Sequence, residues 1–520
     1  MRTVPAALAA LTLTIGVAGP ALAHPASELI PPLTVDLTHA ATDNVAFEAR
    51  FHEHFGSAGG TVASNDSYLD DEGAPIEFYV VTDGRGVYTY DISSPKLPVL
   101  LDMLVLRQAT AGIDQSAQED PSTDGSTLLV GGNPSQLGGS NTLHILSIDD
   151  PTDIQIISSW TGDDHTWSCI SDVATGDGCA YAYGRSNNII DIRDRSNPTK
   201  LDVGWKQAIG VMGTGNGGLD YTHDMTEVRP GLVMSAGAQP VLMDTTDPAA
   251  PVALVQTTLF DHVSPNDTKF DPAREWSTFG YHSVEWPNGG TDSFVIMGTE
   301  IGAQGGDCTD DEAIIETWDA RPVRDALAEM DELITEGSPR ADARTQIFGD
   351  DAAKVDFIRL DAYQAAERGI FLTGQALASE GYCAHWMEHE RGWQDGGRLA
   401  VGFYNRGARF VEVDAEGMMS EIGWFTGADA YTGSVQWVTD EVVYVHDYRR
   451  GLDVLTITSE AATGTYTGTG SVADSAMTVA QLTSAGLLPA PDPASPLRAP
   501  LVLVGAGLLL CAAVARRQRT

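Results

Sequence analysis

Phe78-Tyr-Val-Val-Thr-Asp-Gly-Arg-Gly-Val-Tyr-Thr-Tyr-Asp-Ile-Ser-Ser-Pro95 carries the information that decides the fold. An apolar run leads into a short glycine-containing turn. A second apolar run follows and ends in Asp91, ahead of a turn marked by Pro95. Runs rich in Val, Tyr and Thr that alternate with a period of two read as strands. The aspartate can bond backbone amides just downstream while proline fixes φ, so the pair ends one strand and turns the chain toward the next.

The unit recurs. Ile189-Ile-Asp-Ile-Arg-Asp-Arg-Ser-Asn-Pro198 and Val241-Leu-Met-Asp-Thr-Thr-Asp-Pro248 are further copies, and Leu146-Ser-Ile-Asp-Asp-Pro151 is a weaker one. The marker prolines stand 56, 47 and 50 residues apart. Arg409-Phe-Val-Glu-Val-Asp414 and Gly451-Leu-Asp-Val-Leu-Thr-Ile457 keep the strands and lose the proline. Four strands in roughly 50 residues is the size of a propeller blade, and radial repetition hides the sheet edges. The expected fold is therefore all-β: a β-propeller of seven four-stranded blades over about residues 44–465. Val45-Ala-Phe-Glu-Ala-Arg-Phe51 is expected to complete the last blade. About residues 317–356 read as a small helical insertion in the fifth blade, because Arg324–Ile334 spaces its apolar residues at helical intervals. Insertions in repeat folds often cap one face.

These units resemble LVIVD repeats, a β-propeller family of exported bacterial and archaeal proteins. Phe410-Val-Glu-Val-Asp414, Val241-Leu-Met-Asp244 and Val87-Tyr-Thr-Tyr-Asp91 carry the resemblance, with the tails Ile92-Ser-Ser-Pro-Lys-Leu-Pro98 and Thr245-Thr-Asp-Pro-Ala-Ala-Pro251. The resemblance spans most of the chain. It implies the architecture and an exported setting, but no particular chemistry. More distantly, the layout is similar to selenium-binding-protein propellers, some of which are metal-dependent thiol oxidases.

Both ends read as targeting segments. Residues 1–23 have the build of a signal peptide, with an apolar core and small residues at Ala21 and Ala23. Residues 24–43 are expected to be an extension. Residues 466–498 read as a proline-containing stalk, 499–515 as a membrane anchor or sorting helix, and 516–520 as a basic cytoplasmic tail. The protein is thus expected at the cell surface or outside the cell, touching membrane only through the C-terminal helix. A net charge of -42 excludes nucleic acid as a partner, since phosphate binding needs a basic surface. Four of the five cysteines lie in the exported part, where disulfides persist. Cys169 and Cys179 flank the turn Gly176-Asp-Gly178 and are expected to pair, which leaves Cys308 for Cys383.

The candidate site is a set of histidines in one frame. His165, His223, His282 and His385 stand 58, 59 and 103 residues apart, each just before the first strand of a blade. In a propeller that strand is innermost, so its entry lies at one mouth of the central channel. His54 precedes the first blade in a similar place. The last blade has Gly433 where histidine would be. Imidazole is the commonest protein ligand for transition metals, and Asp164, Asp224, Glu285 and Glu388 lie close enough in sequence to orient the rings. Copper, zinc and iron are the candidate metals. A repeated histidine can equally bond the neighbouring blade's backbone and do nothing else. His446, on a second strand, is a further candidate for the channel wall, and His144 reads as a packed core residue.

Two functions follow. One is a surface-tethered binding or scaffold module whose ligand is a protein, glycan or small molecule. It would meet that partner on a face shared by the histidines and the insertion. The alternative is a metal-dependent enzyme, an oxidoreductase for instance, with the histidines as ligands at the channel mouth.

Overall fold

The Val-, Tyr- and Thr-rich runs form strands because each can bury both faces between neighbouring blades. Every residue of Phe78–Asp83 is buried, as is every residue of Val442–Asp447. A computed structural model describes residues 38–473 apart from 52–56, 71, 84–85, 107–120, 132–141, 162–163, 165, 211–221, 238–239, 258–280, 300–313, 366–383, 429, 461 and 470–471. Residues 1–23, 499–515 and 516–520, together with His54, His165, Cys308 and Cys383, lie outside the described residues. Among the described residues no helix is long and apolar enough to cross a membrane.

Seven blades of four antiparallel strands form a ring, so the fold is the expected seven-bladed β-propeller. The first strands of blades 1 to 7 are Ser57–Ala63, Ser122–Thr123, Trp167–Asp172, Thr222–Arg229, Ser283–Glu285, Met387–His389 and Thr432–Trp437. Val45–Phe51 pairs with Gly451–Ile457 and supplies the fourth strand of blade 7, as expected. The ring therefore closes through residues from opposite ends of the chain. The sheet also runs past both limits of the expected 44–465 span. Thr38–Thr42 pairs with Met419–Gly427 on the outer edge of blade 6, Thr465–Thr469 pairs outside it, and Val472–Ala473 lies parallel to the end of Val45–Phe51. Thr-His-Ala-Ala-Thr and Thr-Tyr-Thr-Gly-Thr lack the Val/Ile signal that marks the other strands, so propensity alone does not reveal them.

Strand parity defines two faces. First strands run from what we call the entry face to the exit face, and second strands return. Phe294, the first residue of blade 5's second strand, pairs with Asp319, the last of its third, at the exit face. The insertion leaves from Asp319 as the helices Arg321–Thr335 and Arg340–Phe348. Val323, Ala326, Leu327 and Met330 turn one helical stripe into the core. They pack with Ile347, Phe348 and Phe357 against Leu232, Leu242 and Leu254 of blade 4 and Trp318 of blade 5. Arg340 Nε donates to Asp244 at 2.6 Å, and Gln256 N–H donates to Ala352 O at 3.0 Å. The insertion thus leaves blade 5 at the exit side and braces it to blade 4 along that blade's outer edge, from Asp244 at the exit end to Gln256 at the entry end. His223, His282 and His385 stand at the entry side, whereas the insertion leaves the blade at the exit side. The reason is parity: a loop after a third strand emerges opposite the start of a first strand.

Candidate functional site: an axial stack of histidines

A β-bulge opens the first strand of several blades at the position the histidines hold. The register slips between Thr222 and Asp224, between Thr432 and Ser434, and between Ser57 and Gly59, so the bulged residues are His223, Gly433 and Ala58. His282 and His385 hold the same place in blades 5 and 6. Their amides donate to Gly298 O at 2.8 Å and Gly402 O at 2.9 Å. In blade 1 this register puts Ala58 at the equivalent position.

Three of the predicted histidines meet. The rings of His223 and His282 stack with centroids 3.6 Å apart and planes 27° apart, and His282 and His385 follow at 4.2 Å. Trp386 packs edge-on to His282 at 4.9 Å. His223, His282, His385 and Trp386 are only 4%, 1%, 1% and 5% exposed, so they fill this stretch of the axis rather than line an open passage. The stack continues into residues that the spacing did not mark. His385 lies 4.8 Å from Tyr404, which stacks parallel on Tyr431 at 4.3 Å. Tyr404 has φ 30°, strained for a residue with a side chain, and is held by two backbone bonds to Thr432 at 3.0 Å. Gly433 is glycine because Tyr448 occupies the space: a Cβ there would lie 2.7 Å from the tyrosine ring.

The arrangement bears directly on the metal expectation. An imidazole lone pair lies in the ring plane, and a metal–nitrogen bond is about 2.0–2.1 Å. Two ligands of one ion must therefore aim their planes at a common point. His223 and His282 are stacked with their planes 27° apart. Among the described residues no group of three or more His, Cys, Asp or Glu is placed to hold a metal. His385 Nδ1 donates to Gly433 O of the next blade at 2.8 Å, the backbone role open to any strand-entry histidine.

Two of the neighbouring carboxylates, Glu285 and Glu388, bond the backbone of the next blade. Three places beyond the histidine position, each blade reaches the next. Ser168 Oγ donates to Met225 O at 2.5 Å, and Thr226 Oγ1 donates to Val284 O at 2.9 Å. Glu285 accepts from His389 N–H at 3.2 Å, and Glu388 accepts from Trp437 N–H. Ser283 Oγ makes a parallel bond to His385 O at 2.9 Å. Asp164 is fully buried and accepts from Ser186 N–H and the Asn188 amide within its own blade. Asp224 is buried beside His223 on the same strand.

Glu285, Glu388 and His389 make a second titratable group on the first strands, nearer the exit face. His389 Nδ1 lies 2.9 Å from Glu285 Oε2. Burial alone would lower the His389 pKa, but the Glu285 hydrogen bond and the charges of Glu285, Glu388 and Asp292 hold it above the ordinary value. Burial, reinforced by the Glu285 carboxylate, pushes Glu388 up to about 8 against the ionising effect of Trp437 N–H. The dipeptide Glu388-His389 was the sequence signal for this group.

The remaining expectations resolve individually. Cys169 and Cys179 form the disulfide, across the first two strands of blade 3. His446 is buried at the seam of blades 7 and 1, with Nε2 2.7 Å from Tyr79 Oη. His144 is half-buried, with Nδ1 2.8 Å from Ser159 Oγ, rather than packed in the core.

No protein-family model and no curated protein sequence matches the chain. Solved structures similar to it include the WD40 β-propeller domain of Doa1, at 9% identity and TM-score 0.40 over 80% of this chain and 98% of that one. YCF48 bound to D1 peptide is similar at 9% and 0.39 over 85% and 100% of the two chains. The N-terminal domain of Nup159 is similar at 9% and 0.38 over 82% and 97%.

Proposed function

We propose that this chain is an exported, surface-tethered propeller that works as a binding or scaffold module. One observation carries the reading: His223, His282, His385 and Trp386 are packed ring to ring and buried, so the predicted site is filled. A centre closed in this way leaves the faces for recognition. The exit face is the better candidate, because the helix Arg321–Thr335 leaves blade 5 there. The long helix exposes Asp325, Glu329, Asp331, Glu332 and Glu336, which suits a partner with complementary basic groups. The tether reading rests on the composition of residues 1–23 and 466–520.

The alternative is a metal-dependent enzyme ligated by His165, His223, His282 and His385. The meeting of three of these from three consecutive blades favours it, and the stacking of two of them opposes it. Elemental analysis of the purified protein beside a His223→Ala/His282→Ala variant separates the two. The binding module contains no stoichiometric copper, zinc or iron. About one such ion per chain, lost in the variant, overturns it.

A further inference from the structure

The two ends of the domain are interlocked at the seam of blades 6 and 7. The N-terminal segment crosses that seam: Thr38–Thr42 adds to blade 6, Asp43 and Asn44 turn the chain, and Val45–Phe51 completes blade 7. The C-terminal segment lies over the same crossing. Thr465–Thr469 pairs with all five residues of Thr38–Thr42, and Val472–Ala473 pairs with Arg50–Phe51.

The turn between the two N-terminal strands is gripped as well. Asp43 accepts from Thr463 N–H at 2.9 Å and from Thr463 Oγ1 at 2.5 Å, while its own N–H donates to Gly464 O at 3.0 Å. Asn44 Nδ2 donates to Ile422 O at 2.9 Å and to Glu460 O at 3.0 Å, and Asn44 O accepts from Thr458 N–H at 3.0 Å. One asparagine therefore ties blade 6, the N-terminal turn and the C-terminal segment together. Register also fixes where the chain leaves. His39 lies opposite Gly427 and Ala473 beside Phe51, which lies opposite Leu452, so both ends depart at the entry face.

We infer that Thr458–Ala473 is a lock on ring closure. By covering the N-terminal strands and gripping their turn, it makes opening of the propeller contingent on release of the C-terminal segment. The ring opens where the N-terminal strands leave blades 6 and 7, because that junction is held by noncovalent contacts with no chain connection across it. A strand edge that would otherwise be exposed, that of Thr38–Thr42, is hidden by the same segment. Force on the tail, or a cut that frees the strap, acts on the whole ring through this one segment. The idea deepens the tethered reading, but its test does not depend on the tail holding a membrane.

Amide exchange read by mass spectrometry on the full chain tests it. In the unaltered protein, Thr38–Phe51 and Thr465–Thr469 open together, with matching protection. Tyr466→Pro, which removes a donor from the strap's ladder, speeds exchange in Thr38–Phe51 and Gly451–Ile457 by about tenfold or more and leaves Thr222–Gln256 unchanged. Asn44→Ala, which keeps the ladder, produces the same pattern to a smaller degree. Strap exchange that rises while Thr38–Phe51 stays protected overturns the inference, as does an equal rise in all blades. So does an unaltered protein in which the strap frays freely beneath a protected N-terminal segment.

Discussion

Arg50 and Asp453 face each other directly across the closing ladder of blade 7, 403 residues apart in sequence. Arg50 Nε meets Asp453 Oδ1 at 2.5 Å, with both side chains buried. Arg450 reaches the other oxygen, Asp453 Oδ2, at 3.3 Å. The N-terminal strand thus brings its own cation into an acidic place in the last blade. A slip of one residue would strand both charges in the core, so the pair fixes the register in which the ring closes.

Removing one partner should therefore cost far more than removing both. Asp453→Ala or Arg50→Ala is expected to lower unfolding stability by about 3–5 kcal/mol, because the remaining charge is left buried. Arg50→Met/Asp453→Leu should recover part of that loss, since Arg450 still loses its partner. Denaturant titration of the three variants checks this, and equal losses in single and double variants would show that the pair acts by packing rather than by charge.

The seam between blades 5, 6 and 7 should weaken as pH rises. Glu388 has a folded pKa near 8, above its unfolded value, so between about pH 4.5 and 8 the folded state holds a proton that the unfolded state has lost. Its contribution to stability is present at acid pH and falls as pH climbs to about 8. His389 is also raised, so its contribution is present below the usual histidine range and lost through its folded pKa. Asp447, pushed by burial to about 7, adds a slope of the same sign. Glu388→Gln keeps an acceptor for Trp437 N–H and removes the proton. Its melting temperature should exceed that of the unaltered protein by a margin that grows from pH 5 to pH 8.5. A margin independent of pH would mean that Glu388 does not carry the proton.

Gly433 and Tyr448 should behave as a matched pair. Gly433→Ala places a Cβ 2.7 Å from the Tyr448 ring and should cost about 1–3 kcal/mol by overpacking. Tyr448→Ala opens that space, so the double variant should lose less than the sum of the singles. Additive losses in a double-mutant cycle would separate the two sites.

The blade period, the seven units, the closing strand Val45–Phe51, the fifth-blade insertion and the Cys169–Cys179 pair were all legible in the chain. Each rests on local chemistry: alternating apolar residues, Asp and Pro turns, and two cysteines flanking a tight turn. The frame of His223, His282 and His385 was legible for the same reason, since a repeated fold puts repeated positions at one radius. What those rings do was not, because the bulge and the side-chain torsions set their planes, and spacing contains neither. Their stacking, the space that Tyr448 takes from Gly433 and the inter-blade bonds of Glu285 and Glu388 depend on the neighbouring blade's backbone. The strands Thr38–Thr42 and Thr465–Thr469 exist only through pairing with each other and with blade 6. Partners hundreds of residues apart are chosen by closure of the ring, and local propensity has no term for that.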